Sequence, residues 1–400
     1  MQFAAGKRNP GFLSGLYLNW WKGEGAKYAV DSTTLLLLKS DKTLAECDFS
    51  TAKGVVWDTL QERCIDASLF DGDDVVFAKR ATLFDCLVTS VPDAAQRLCA
   101  AMQDGVRALL GRRCLVHVVP RLKCESFVVP EVEIYVVARD DAVAWSRVNA
   151  DGFSCGGWTP NNPILDGRQD DVFAPHTAFD AVLVAANVGT LNSIRQESTL
   201  RLQTLLAVIF AVASDRAPYP YLKSGGTPST FGVLFPHSSC QDRSCLKSGV
   251  PVIFPYYISD VVLNAEGITT VKAWYANLWA QQPDRRTKAE RSAHFLNLGM
   301  NSKGAESFVN CYIALDALLG QRGSVEASIL AGLAKLQLDP KQVEKAQWLF
   351  ELRNELVHGG SRFVEEWPRY PAYVRHFDGD PMIDVLKIAQ TALLRTPSML

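Results

Sequence analysis

Long apolar runs are scarce in this chain of 400 residues. The most apolar windows, Leu35 to Leu38 and Leu205 to Ala213, fall far short of the ~20 residues that cross a bilayer. The opening residues, Met1 to Pro10, lack the apolar stretch of a secretory signal. Cysteine is present ten times but without the short regular spacings of a disulfide framework. These absences together predict a soluble, cytoplasmic protein with free thiols and no membrane association. An excess of positive charge is also missing, since the formal net charge is -2. Global basicity therefore does not announce nucleic-acid binding, although a cleft needs only local positive charge. No P-loop, Gly-x-Gly-x-x-Gly, His-Glu-x-x-His or Gly-x-Ser-x-Gly occurs, which removes support for nucleotide hydrolases, Rossmann enzymes, zincins and α/β-hydrolases. Internal repeats and low-complexity tracts are absent.

What is there is ordinary globular material, 48% hydrophobic and 21% charged. A chain of this length exceeds what one core usually serves, so two domains are expected. The fold class expected is α+β, with a mixed domain over residues 1–175 and a helical domain over residues 176–400. Thr33 to Leu38, Cys114 to Val119 and Val132 to Val137 have the length and content of strands. Ala94 to Leu110 has helical spacing instead. The Gly-, Pro-, Asn- and Asp-rich stretch from Asn149 to Ala174 reads as a domain boundary or a long surface loop. From Thr177 the pattern turns helical, with Thr199 to Ala213 a buried helix and a Pro/Gly/Ser-rich loop over Ala217 to Pro255. Further helices are expected over Val261 to Gln281, Lys288 to Leu298, Lys303 to Leu319, Pro340 to His358 and Pro381 to Leu394.

The helix at Pro340 is the clearest of these. Asp339 suits the N-cap and Pro340 the first helical position. Gly359 and Gly360 follow at once, where a glycine can take the left-handed conformation that stops a helix. His358 then stands in the last turn beside unpaired carbonyls, and histidine is the side chain that exchanges protons near neutrality. Asn354 and His358 are an i, i+4 pair on one face. Arg353 lies about 140° round the helix from His358, so its long side chain would have to wrap round to join them. On the preceding helix, Ala305, Val309, Tyr312, Asp316 and Leu319 form one stripe. Asp316 is thus a carboxylate on an apolar face and needs a partner, for which Arg353 is the obvious candidate.

These two segments, Ser307 to Leu319 and Leu352 to Gly360, resemble the HEPN superfamily and, within it, the Apea-like HEPN domains. The shared pattern is an Ala-Leu-acidic-Ala-Leu run, then Arg, a polar residue, three variable positions, His and Gly. Family members usually carry Glu where this chain has Asp316, which keeps the charge. The likeness covers residues 260–400 most firmly. It implies a C-terminal all-α HEPN-type bundle that forms a homodimer and cleaves RNA without a metal or other cofactor, often in antiphage defence, abortive infection or toxin systems. His358 would then be general acid or base, Arg353 would hold phosphoryl oxygens, Asn354 would orient His358 or the phosphate, and Asp316 would position Arg353. DNA, lacking the 2′-OH, should resist this route. Residues 1–175 would sense or restrain, with a phage-derived trigger or regulatory protein as partner. A non-catalytic HEPN module that binds RNA, a nucleotide or a protein is the alternative.

Three further groups carry a bland and a sharp reading. Arg285, Arg286 and Lys288, with Arg291, form a basic cluster that is by default a solvated face and otherwise guides RNA phosphates. His237, Cys240 and Cys245 offer three zinc ligands without a fourth at a recognisable spacing, so coincidence is the simpler account. Asp71 to Asp74 reads as an Asp-Gly turn sooner than a cation site.

Overall fold

A computed structural model describes residues 26–66, 93–153, 164–165, 168–169, 179–214, 231–240, 245–254 and 257–399. The chain is mixed α/β, with a sheet mostly in the first half and helices throughout the second. Its elements in order begin with α1 (Ala26–Ser40), α2 (Phe49–Asp66) and α3 (Ala94–Leu109). Then come β1 (Gly111–Val119), β2 (Leu122–Cys124), β3 (Phe127–Val129), β4 (Ile134–Ala138) and α4 (Ala142–Ala150). A short pair, β5 (Ile164–Leu165) and β6 (Arg168–Gln169), precedes β7 (Ala181–Gly189), α5 (Leu191–Ser214), β8 (Phe231–Pro236), β9 (Leu246–Gly249) and β10 (Val261–Leu263). Seven helices follow: α6 (Ala265–Trp279), α7 (Pro283–Asn301), α8 (Gly304–Leu319), α9 (Val325–Lys335), α10 (Pro340–Val357), α11 (Tyr370–Phe377) and α12 (Pro381–Met399).

The chain divides into two compact units. One takes residues 1–112 with 188–194, the other residues 113–187 with 195–400. The boundary expected at 175–176 lies outside the described residues. The main sheet takes strands from both sides of it, in the order β3-β4-β7-β1-β8-β9.

In the smaller unit α1, α2 and α3 pack on one another, and Asp48 caps α2 by accepting the Thr51 amide at 3.0 Å. Its carboxylate also accepts from Thr190 Oγ1 at 2.7 Å and Asn192 Nδ2 at 3.0 Å. Burial would raise the Asp48 pKa, but these hydrogen bonds outweigh it and hold the carboxyl down at about 2. Thr33 to Leu38, expected as a strand, is helical within α1. The reason is visible in its buried face: Val30, Thr34 and Leu37 fall three and four apart, and leucine is a strong helix former.

The larger unit is built on the sheet. Cys114, Val116 and Val118 of β1, Val182 and Val184 of β7, and Val233 and Phe235 of β8 alternate onto one face. There they bury Trp145 and Val148 of α4 together with Phe153. The Thr177-onward region is not helical at its start: β7 is buried on both faces, and its continuous apolar run hides the period of two. The expected loop over Ala217 to Pro255 contains β8 and β9, paired antiparallel with Leu234 opposite Leu246. The expected helix from Val261 begins instead with a strand, β10, parallel to β2. Asn264 then caps α6 by accepting the Gly267 amide at 2.9 Å. Val132 lies in a short 3-10 turn ahead of β4. Among the described residues α5 alone is long and apolar enough to cross a membrane, and 78% of its apolar stretch is buried in the protein.

The last helix gathers the others. Its Leu393 carbonyl accepts from Trp274 Nε1 of α6 at 2.9 Å, and Arg395 donates to the Leu336 and Gln337 carbonyls that end α9. Asp384 accepts from Lys345 Nζ of α10 at 2.7 Å and from the buried Tyr373 hydroxyl of α11 at 2.9 Å.

Two outcomes follow from these carboxylates. Asp384→Ala should cost about 3 kcal/mol, because it leaves the largely enclosed Lys345 unpaired. Adding Lys345→Met should recover part of that loss in denaturant melts; unchanged midpoints in both variants would discard the network as a support. Asp48, with its pKa depressed from an ordinary value near 4, contributes stability present above that value and lost as pH falls toward about 2. Melting temperature should therefore drop more steeply over that window in the unaltered protein than in Asp48→Asn.

Candidate functional site

The end of α10 follows from its residues. Asp339 accepts the Lys341 amide at 2.7 Å and Pro340 opens the first turn. At the other end Gly359 takes φ +78°, a conformation that costs glycine nothing and other residues strain. The Gly360 amide then reaches back to the Glu355 carbonyl at 2.8 Å, the closing hydrogen bond of a Schellman end. His358, one residue before, is exposed, and its own amide is bonded to the Asn354 carbonyl at 2.9 Å. Arg353 is half-buried and donates through Nη1 to Asn354 Oδ1 at 3.1 Å.

Across from it, α8 presents Tyr312 and Asp316. Tyr312 is buried and packs on Phe350 of α10 with ring centres 6.1 Å apart. Burial pushes its hydroxyl pKa up, Glu326 and Asp316 push the same way, and Arg353 opposes them. All three charges therefore lie within electrostatic reach of that hydroxyl. The ion pair expected between Asp316 and Arg353 is nonetheless not formed. The Asp316 carboxylate is folded back over the end of its own helix, where a Cβ on Gly320 would collide with it. Arg353 turns to Asn354. The structure thus brings Arg353 and Asn354 into contact and keeps Asp316 as a neighbour in the field.

The basic cluster is split by helical geometry. Arg285 and Lys288, three apart on α7, line a cleft of about 590 Å³. Lys335 of α9 lines it too, as do Gln321, Ser324 and Ser328, and no carboxylate does. Arg286 departs from the expected phosphate-guiding set, since its guanidinium lies over the Trp279 ring, 5.5 Å from the centre. Sequence reading missed Lys335, whose only signal was a cation in the last turn of a helix it did not delineate. Both α9 and α11 escaped it.

His237, Cys240 and Cys245 do not assemble a metal site, and no group of three metal-ligating side chains occurs among the described residues. His237 has a structural setting. Its Nδ1 lies 3.0 Å from the donating Ser239 amide and 2.7 Å from Ser239 Oγ, and its ring packs edge-on to Phe153. Asp71 to Asp74 falls outside the described residues. Comparisons of the chain with protein-family models, curated proteins and solved structures return no match.

Without a direct pair, Asp316→Asn and Arg353→Ala should act almost independently. In thermal melts the double variant should match the sum of the single changes within about 0.5 kcal/mol. A coupling well above that figure would show that the two charges meet in solution.

Proposed function

We propose that the chain is a metal-independent endoribonuclease whose C-terminal helices form a HEPN-type bundle. The observation that carries this reading is the end of α10. An exposed histidine there stands one turn after a hydrogen-bonded Arg353–Asn354 pair, on a helix packed beside Asp316 and Tyr312. An RNA 2′-OH can attack its own neighbouring phosphate, so the protein need supply only proton transfer and charge stabilisation. His358 takes the 2′-OH proton, Arg353 holds the phosphoryl oxygens through its planar donors, and Asn354 steers Arg353. The attack forms a 2′,3′-cyclic phosphate and expels a 5′-oxygen, which must gain a proton.

A second copy of the chain supplies that proton. A two-fold axis beside α10 brings a second His358 into the same cleft without new sequence. Val357 and Phe363, large apolar residues 47% and 57% exposed on either side of the histidine, give such a dimer something to bury. The cleft with Arg285, Lys288 and Lys335 serves RNA phosphates. In this reading the enzyme works in antiphage defence by abortive infection, released by a phage-derived trigger acting on the N-terminal part.

Purified protein should cut single-stranded RNA and leave the same sequence in DNA intact. His358→Ala should lose at least about 100-fold in rate, the usual worth of a general acid or base. Its melting temperature should hold, because the side chain is exposed. Mixing His358→Ala with Arg353→Ala chains should restore part of the activity if two chains share one site. RNA cut at the normal rate by His358→Ala would refute the assignment.

A further inference from the structure

A second face of α7 closes a separate cavity. Glu290, Arg291 and His294, spaced one and three apart, meet α5 and α6 around a space of about 300 Å³. That is near the lower end of small-ligand pockets, enough for a ring system of one or two rings. One wall is apolar and flat, made by Leu200 and Trp279. In another wall Tyr275, only 1% exposed, holds a hydroxyl with no hydrogen-bond partner. A buried orphan of this kind is costly and marks a place where a partner is expected.

The polar groups have definite roles. Glu290 is half-buried and accepts no hydrogen bond from the described residues, so both its oxygens are available. Burial raises its pKa above the ordinary carboxylate value, with Arg201 opposing. His294 Nδ1 lies 2.8 Å from Gln203 Oε1, which ties the imidazole to α5. Arg291 supplies donors at the mouth. Glu197 and Arg201 line the same space, so two carboxylates and two guanidiniums stand with the Tyr275 hydroxyl, a setting that suits a flat ligand with adjacent N–H donors next to an oxygen acceptor.

We propose that this cavity binds a guanine base. Among the nucleobases guanine alone sets two N–H groups side by side next to a carbonyl on one edge. Glu290 takes N1–H and the 2-amino group, Tyr275 and Arg291 donate to the carbonyl and N7, and the base rests against the apolar wall of Leu200 and Trp279. Adenine and cytosine place a ring acceptor beside their amine, which would face the carboxylate unfavourably. The base can come from a free guanine nucleotide or from an unpaired guanine in RNA. This site shares no residue with the end of α10 and goes beyond the ribonuclease reading. Base binding is measured without cleavage, so either can fail while the other stands.

Calorimetric titration of the full chain with guanosine, inosine, adenosine and cytidine tests it. Guanosine should bind at least ten-fold more tightly than adenosine or cytidine. Inosine, which lacks the 2-amino group, should fall between them. Glu290→Gln should erase the preference and Tyr275→Phe should weaken guanosine several-fold, with melting curves confirming that both variants fold. A single-stranded RNA with one guanine separates the sources. Binding of that RNA but not the nucleoside, lost in Glu290→Gln, would assign the base to RNA. Equal binding of all nucleosides, or binding of neither guanosine nor the RNA in a Glu290-dependent way, would overturn the proposal.

Discussion

A buried carboxylate governs the helical part of this protein. Asp384, on α12, holds Lys345 of α10 and the Tyr373 hydroxyl of α11, with the Lys345 and Asp384 side chains only 15% and 11% exposed. Charges in such surroundings tolerate few arrangements, because each must keep its partner or be left unsatisfied. The network therefore sets how α10 lies against its neighbours more sharply than apolar contact alone. Trp348 adds to the same grip: it stacks on His376 and meets Tyr373, Phe377 and Trp367 edge-on, while Arg369 covers its ring. The end of α10, with Arg353 and His358, takes its position from that fixed middle.

Local signals were legible in the sequence wherever backbone chemistry decides. Asp339, Pro340 and Gly359 announce the start and stop of α10, and each performs the expected part. Hydrophobic spacing likewise places α3 and α8, and apolar content finds most of α5 from Thr199 onward. Strands were harder. The runs in β7 and β8 are apolar on both faces, so they carry no alternation, and only their pairing in the sheet separates them from helix or loop. The Leu35 to Leu38 run deceived for another reason: it looks uniformly apolar, yet Leu35 and Leu36 are exposed on α1 and only Leu37 joins the buried face of Val30 and Thr34.

At the candidate site the identity of the residues was readable and their mutual contacts were not. Asp316 and Arg353 look like a pair because an apolar face seems to demand one. The glycine at the end of α8 provides another resting place for the carboxylate, and no spacing rule foresees it. The basic cluster is similar: four charges within seven residues look like one patch, yet a helix turns Arg285 and Lys288 to one cavity and Arg291 to another.

The position of α12 in the chain has a consequence for how the protein comes into being. Its contacts reach back to α6, α9, α10 and α11, all of which are synthesised before it. Until it is made, Lys345 lacks the Asp384 carboxylate and the Trp274 indole the Leu393 carbonyl. Those two groups reach their partners only once α12 docks.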